Sequence, residues 1–448
     1  MIRRPSSSRA AAARALAALS ALALAPGSAA SAPPGFVTTA PGRAGFLLGG
    51  APFRYGGTNC YYLHYESAYM VDSCLQHAAD NNFTVLRMWT WMDVSSCGES
   101  GNNGVWFQCR NASSGEIVVN AAAFARLDYA VVKAAALGVR LVMTLTNNWA
   151  DFGGMDTYVG WRAAADPTFE PTHDAFFSDA TITAWYRSWV MAVVSRTNSI
   201  SGVRYVDDPT LFAWQLANEP RCGGSGKFPA SAKCGSRAGT PLIAWVADMS
   251  AFVRSLDPNH MISVGDEGFY CDEACGASGA WWCDCSSGVS SSAFAAAPHV
   301  SYMTAHLYPD SWGTDWAWGA WWIANHTALA HGPDIGKPFV VEEFGITADQ
   351  HAVYANWTAT ALACGADGFQ FWMVVGLEDG GSQWYGGAQG DALNIVCRRD
   401  GEPPVPSKSD PASCAVLSAA ARAMLAAAAE AAAAAPAAAA PGVRRVGD

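Results

Sequence analysis

The stretch "AAAFARLDYAVVKAAALGVRLVMTLTNN" (Ala121–Asn148) holds a helix, its stop signal and a strand in one run. Residues 121–137 have helical character, and Gly138 suits the left-handed C-cap of that helix. "RLVMTL" (140–145) then forms a short apolar run closed by Asn147, Asn148 and Trp149. Such a run is mostly apolar without strict alternation, as expected for a parallel strand buried on both faces.

The same pattern recurs along the chain. Strand-like runs occur at "RYGGTNC" (54–60), "TVLRMW" (84–89), "LFAWQLA" (211–217) and "HMISVGD" (260–266). They continue at "SYMTAHLY" (301–308), "FVVEEF" (339–344) and "GFQFWM" (368–373). With helix-like segments between several of them, eight such runs predict an α/β protein, a single (β/α)8 TIM barrel. A doubly wound open sheet is the alternative, but no G-x-G-x-x-G follows the first run. No Pro-, Gly- or Ser-rich linker divides the region, so residues 32–410 read as one catalytic domain. Long Gly- and Cys-rich loops after strands 2, 4 and 5 elaborate its C-terminal face.

The ends read differently. Residues 1–31 carry Arg3, Arg4, Arg9 and Arg14, then "ALAALSALALA", then small residues, which is the order of a secretory signal peptide. Its apolar part is too short for a membrane span, and no later segment offers about 18 uninterrupted apolar residues. Residues 411–448 read as an Ala-rich low-complexity tail, helix-prone but without an amphipathic face. Removing the signal segment takes away four Arg and no acid, so the formal net charge moves from −11 to −15. That balance argues against nucleic acid and anionic membrane as partners and suits an uncharged substrate.

Thirteen Cys in a secreted chain point to disulfides. Cys60 with Cys74, Cys97 with Cys109, and Cys222 with Cys234 are sequence-local candidates. Cys271, Cys275, Cys283 and Cys285 lack the paired C-x-x-C of a zinc site, so oxidation is favoured, with connectivity left open. The odd count leaves a thiol over. Sequons at Asn82, Asn111, Asn325 and Asn356 are compatible with secretion.

In such barrels the functional side chains gather where the strands end. Strand 2 offers Arg87, Trp89 and Trp91, strand 3 Trp149, and strand 4 Asn218 and Glu219 with Arg221 just beyond. Strand 5 offers Asp266 and Glu267, strand 6 His306 and Tyr308, strand 7 Glu342 and Glu343, and strand 8 Trp372. Carboxylates on strands 4 and 7 would face each other across the mouth. Glycosidic cleavage needs such a pair, one to protonate the departing oxygen and the other to attack or to activate water. Aromatic faces that stack on sugar C–H surfaces, with Asn, His and Arg for the hydroxyls, complete that reading.

"LTNNWADFGG", "ANEPRC", "DEGFYC", "HLYPDSW" and "EEFG", in this order, resemble glycoside hydrolase family 5, specifically its plant and fungal endo-β-1,4-mannanases. The resemblance covers about residues 36–400. It implies a (β/α)8 barrel and hydrolysis with retention, without metal or organic cofactor. By position it makes Glu219 the acid/base and Glu343 the nucleophile. It assigns Arg87, Asn218, His306 and Tyr308 to the polar shell, Trp372 to the platform beneath the reacting sugar, and Trp149 and Arg221 to the groove. Gln215 and Ala217 depart from the pattern and are expected to be silent. The segment "GASGAWWCDCSSG" is expected to reshape the positive subsites or the groove wall, and Trp316, Trp318, Trp321 and Trp322 are too dense all to be sugar platforms.

Plainer readings exist for each residue. Glu219 could be a helix-start carboxylate, Arg87 a structural ion pair, His306 a core histidine and Trp372 core packing. Strand alternation admits only one of Glu342 and Glu343 inside, and the resemblance selects Glu343. Glu267 and Tyr270 either reach the groove or hold the strand 5 loop. The expected protein is a secreted or cell-wall monomer acting on a β-mannan-type polysaccharide. Its rivals are a β-1,4-glucanase or transglycosylase on the same scaffold, and a non-catalytic polysaccharide-binding protein.

Overall fold

Eight parallel strands surround the core of the computed structural model, which describes residues 35–40, 44–235, 240–271, 273–387 and 391–434. The strands are β1 (Tyr55–Asn59), β2 (Val85–Trp89), β3 (Arg140–Thr144) and β4 (Leu211–Gln215), then β5 (Met261–Ser263), β6 (Met303–Leu307), β7 (Phe339–Phe344) and β8 (Gly368–Phe371). They pair in the order β5-β4-β3-β2-β1-β8-β7-β6. Between β5 and β6, Ser301 N–H donates to Ile262 O at 2.7 Å and His306 N–H to Glu267 O at 3.1 Å, bringing the ends together. Every residue of β1, β2, β4, β6 and β7 is buried, because side chains fill the inside and helices cover the outside. The predicted TIM barrel is the fold.

The outer helices are α1 (Ala68–Asp80), α2 (Phe124–Leu137), α3 (Ala180–Val194) and α4 (Pro241–Leu256), then α5 (Ser291–Ala296), α6 (Trp316–His331), α7 (Gln350–Cys364) and α8 (Ser413–Ala434). Side chains of Ser67, Asp179, Thr240 and Asp315 accept backbone N–H groups where α1, α3, α4 and α6 begin. Gly138 ends α2 at φ 69°, as its position in the sequence predicts. A small antiparallel sheet (37–39, 46–48, 51–53) closes the other end of the barrel. Its Phe46 packs edge-on against Phe212 and Tyr302 at 5.3 and 5.5 Å.

The signal segment, residues 1–31, lies outside the described residues, as does the tail beyond 434. The domain boundary at 410 is corrected for the rest, because α8 lies along β1 and α7. Leu417, Ala421 and Met424 are fully buried there. Ala421 sits where a Cβ on Gly56 of β1 would be, 2.5 Å away, so alanine facing glycine allows the close approach. What reads as faceless low complexity is thus the eighth outer helix. By length and hydropathy α8 is the one helix among the described residues able to cross a membrane.

Six disulfides tie the loops. Cys60–Cys74, Cys97–Cys109 and Cys222–Cys234 form as the spacing suggests. The four clustered cysteines are oxidised as Cys271–Cys285 and Cys275–Cys283, and Cys397–Cys414 anchors the start of α8. Cys364 is the free thiol among the described residues.

Candidate active site

A cleft of about 500 Å³ opens where the strands end, lined by Trp89, Trp149, Asn218, Glu219, Arg221 and Glu267 on β2 to β5. Tyr308, Trp312, Glu343 and Trp372 complete it from β6 to β8. Arg87 and His306 lie beneath, bonded to the carboxylates. Arg87, Trp89, Trp149, Asn218, Glu219, Arg221, His306, Tyr308, Glu343 and Trp372 therefore converge on one place. Trp91 does not, being fully buried with its Nε1–H donated to Asp151 O at 3.3 Å.

The arrangement begins with the end of β4. Glu219 has φ 51°, in the left-handed region, and its N–H donates to Gly265 O at 2.8 Å. This turn breaks the alternation of an extended strand, so adjacent Asn218 and Glu219 both enter the site. A non-glycine residue held there costs on the order of 1–2 kcal/mol, and such strain is kept where the surroundings enforce it.

Glu219 Oε2 accepts from Trp149 Nε1–H at 2.5 Å, and its Oε1 meets His306 Nδ1 at 2.6 Å. Glu343 is held differently. Arg87 Nη1–H donates to its Oε1, and Tyr308 O–H donates to its Oε2 at 2.7 Å. One oxygen of each carboxylate and a ring nitrogen of His306 lie within 4.8 Å of one another. Among the described residues these three are the group that could share a cation, but the Arg87 guanidinium on Glu343 already supplies positive charge there.

Arg87 is fixed by further acceptors, Gln215 Oε1 and Asn218 Oδ1, both at 2.6 Å. Gln215 is therefore not silent. Its Nε2 also donates to both oxygens of Glu342, at 2.7 and 2.8 Å. Glu342 is fully buried one level below the cleft, so both glutamates of β7 point inward. The expectation that only one could do so fails because the ladder shifts register: Ala305 pairs with Val341 but His306 with Glu343. Glu342 is the extra residue of that bulge, and Asn59 Nδ2–H takes its freed carbonyl at 2.9 Å.

The charges set the protonation pattern. Burial would raise Glu219, but the His306 and Trp149 hydrogen bonds and Arg221 outweigh it and hold the carboxyl below the ordinary carboxylate range. Burial would lower His306, yet Glu343 and Glu219 beside it keep its pKa well above the ordinary value. Burial raises Glu343, with His306 and Arg87 opposing. Both directions favour the carboxylate–imidazolium form of the Glu219–His306 pair.

Glu267 belongs to the cleft, with two hydrogen bonds from the Arg221 guanidinium. Burial, then the charge of Glu219, pushes it up to about 7. Tyr270 turns away instead and stacks on His326 at 4.8 Å. Of the clustered tryptophans, Trp322 is core and donates to His306 O at 2.9 Å, while Trp316 and Trp321 are exposed. Asn59, Trp312 and the bulge were missed in the sequence and Gln215 was misjudged, since each depends on strands far apart in the chain.

Comparisons with known proteins identify the family. The sequence model of a family described as GH family 5 beta-mannosidase-like matches residues 35–370. Mannan endo-1,4-beta-mannosidase A of Aspergillus aculeatus is 33% identical over 329 residues, 73% of this chain and 79% of the relative. A probable mannan endo-1,4-beta-mannosidase F of Emericella nidulans is 34% identical, covering 73% of this chain and 69% of that protein. The crystal structure of the endo-1,4-beta-mannanase from Rhizomucor miehei superposes with a TM-score of 0.73 at 32% identity, covering 87% of this chain and 99% of that one. The family match and the extent of these likenesses place the chain in glycoside hydrolase family 5, among its β-mannosidase-like members.

Proposed function

We propose that the protein is a secreted, retaining endo-β-1,4-mannanase acting on mannan, glucomannan or galactomannan. The observation that carries the mechanism is the approach of Glu219 and Glu343, with carboxylate oxygens within 4.8 Å. Retaining glycosidases place their carboxyl groups about 5–5.5 Å apart, whereas inverting ones leave roughly 6.5–9.5 Å for a water. The relatives' names support the substrate class.

In the first step a Glu343 oxygen attacks the anomeric carbon, and the bond to the leaving sugar's oxygen breaks. Glu219 gives that oxygen its proton, and a covalent mannosyl–enzyme ester remains on Glu343. In the second step Glu219 takes a proton from water, whose oxygen attacks the same carbon and frees Glu343. Two inversions restore the original configuration.

The resting proton lies on His306, so the 2.6 Å contact from Nδ1 to Glu219 Oε1 is the path that arms the acid. Arg87 and Tyr308 favour the ionised nucleophile against its burial. Six disulfides and the expected signal segment support an extracellular setting.

The test is incubation with pure linear β-1,4-mannan, sizing the products and following their anomeric configuration by NMR. Short oligosaccharides appearing first as the β-anomer are expected. No cleavage of mannan, or preferential cleavage of β-1,4-glucan, would overturn the substrate assignment. An α-anomer appearing first would overturn the mechanism.

A further inference from the structure

Trp281, in the Cys-rich loop after β5, is left unused by the catalytic chemistry. The residue is 40% exposed, a large flat aromatic group open to solvent. It is not loose. Its edge meets Phe269 at 5.3 Å and Trp312 at 6.0 Å, and Trp312 lines the cleft. The neighbour Trp282 points the other way, packing on Tyr270, Trp321 and Trp322. Its carbonyl accepts from Tyr270 N–H at 2.9 Å. The disulfides Cys275–Cys283 and Cys271–Cys285 clamp the turn just after both tryptophans. The loop thus presents one indole to solvent on a rigid base.

Its place relative to the chemistry follows from contacts. Two residues beyond the proton-donating Glu219, Arg221 lays its guanidinium over Phe269 at 4.6 Å, and Phe269 abuts Trp281. The path runs outward from the acid, the group that protonates the departing sugar. Trp372 instead stacks on Tyr61 at 5.9 Å, on the wall that also holds Trp89.

Resting on the assignment of the cleft to a β-1,4-mannan, we propose that Trp281 is a sugar-binding platform for the leaving-group end of the chain, beyond the sugars held at Arg221 and Trp312. A pyranose C–H face stacks on a flat indole, and a side chain already immobilised loses little entropy on binding. Trp281 therefore selects longer substrates and gives the cleavage position a bias toward chains that extend past Arg221.

The experiment compares kcat/KM for mannohexaose with kcat/KM for 4-nitrophenyl β-mannobioside, whose leaving group is a single phenol, in the full-length protein. Using the ratio cancels any change in the amount of folded enzyme. In Trp281→Ala the ratio falls about fivefold to tenfold, ~1–1.4 kcal/mol, with the change carried by KM for mannohexaose. Trp281→Tyr, which keeps a flat ring, recovers most of it. An unchanged ratio in Trp281→Ala while the wild type cleaves mannohexaose overturns the platform alone. A wild type that cleaves neither substrate overturns the mannanase assignment, and the platform with it.

Discussion

The Nδ1 atom of His306 lies 2.6 Å from Glu219 and 3.6 Å from Glu343, so one imidazole borders both carboxylates of the site. Turnover requires Glu343 ionised and one proton on the Glu219–His306 pair. Burial raises Glu343, so the acid limb of the pH profile lies above the ordinary carboxylate value of 4.5, and activity falls as pH drops through it. The basic limb is loss of the pair's proton, above the ordinary histidine value of 6.5 because the neighbouring carboxylates hold it. In His306→Asn the proton rests on Glu219 alone, and the basic limb moves toward acid by about one unit or more. A kcat/KM profile whose basic limb stays in place contradicts the shared proton.

Trp149 tests the other bond to Glu219. Replacement by Phe keeps an aromatic ring near Arg221 but removes the Nε1–H donated at 2.5 Å. A hydrogen bond to a charged group contributes about 1.5–3 kcal/mol, so kcat/KM falls by roughly tenfold or more. Steady-state kinetics on linear mannan decide it, and wild-type rates would show the bond to be idle.

The two glutamates of β7 separate by measurement. Glu343→Gln removes the nucleophile and lowers kcat by about a thousandfold or more, with little change in melting temperature. Glu342→Gln keeps the nucleophile but spoils the acceptor for Gln215 below the cleft. It costs about 1–3 kcal/mol of stability, a few degrees of melting in a chain this size, while measurable turnover remains. Full inactivity of Glu342→Gln together with an active Glu343→Gln would exchange the assignments.

Leu417 on α8 is fully buried against the barrel. Leu417→Ala is expected to destabilise by about 2–4 kcal/mol while kcat on mannan stays unchanged, because the cleft is at the ends of the strands. Calorimetry showing no change would return α8 to the status of a dispensable tail.

The sequence by itself determined what local pattern controls. A strand buried on both faces must be apolar throughout, so all eight runs could be located, and a helix that ends in a left-handed turn calls for Gly138. Polar residues that end a buried run are costly unless used, which made Asn218, Glu219, His306 and Glu343 visible as candidates. Disulfides of short span were legible because both cysteines lie close together in the chain.

Tertiary structure decided whatever depends on a partner distant in the chain. Ala421 becomes a barrel residue only because Gly56, 365 positions earlier, leaves room for it. Gln215 gains its importance from Arg87 and Glu342, on strands that approach it only when the barrel forms. The bulge that turns both Glu342 and Glu343 inward arises in the pairing of β6 with β7, and no alternation rule applied to one strand contains it. Protonation follows the same division: the chain names the titratable groups, but burial and the distances between them lower Glu219 and raise His306.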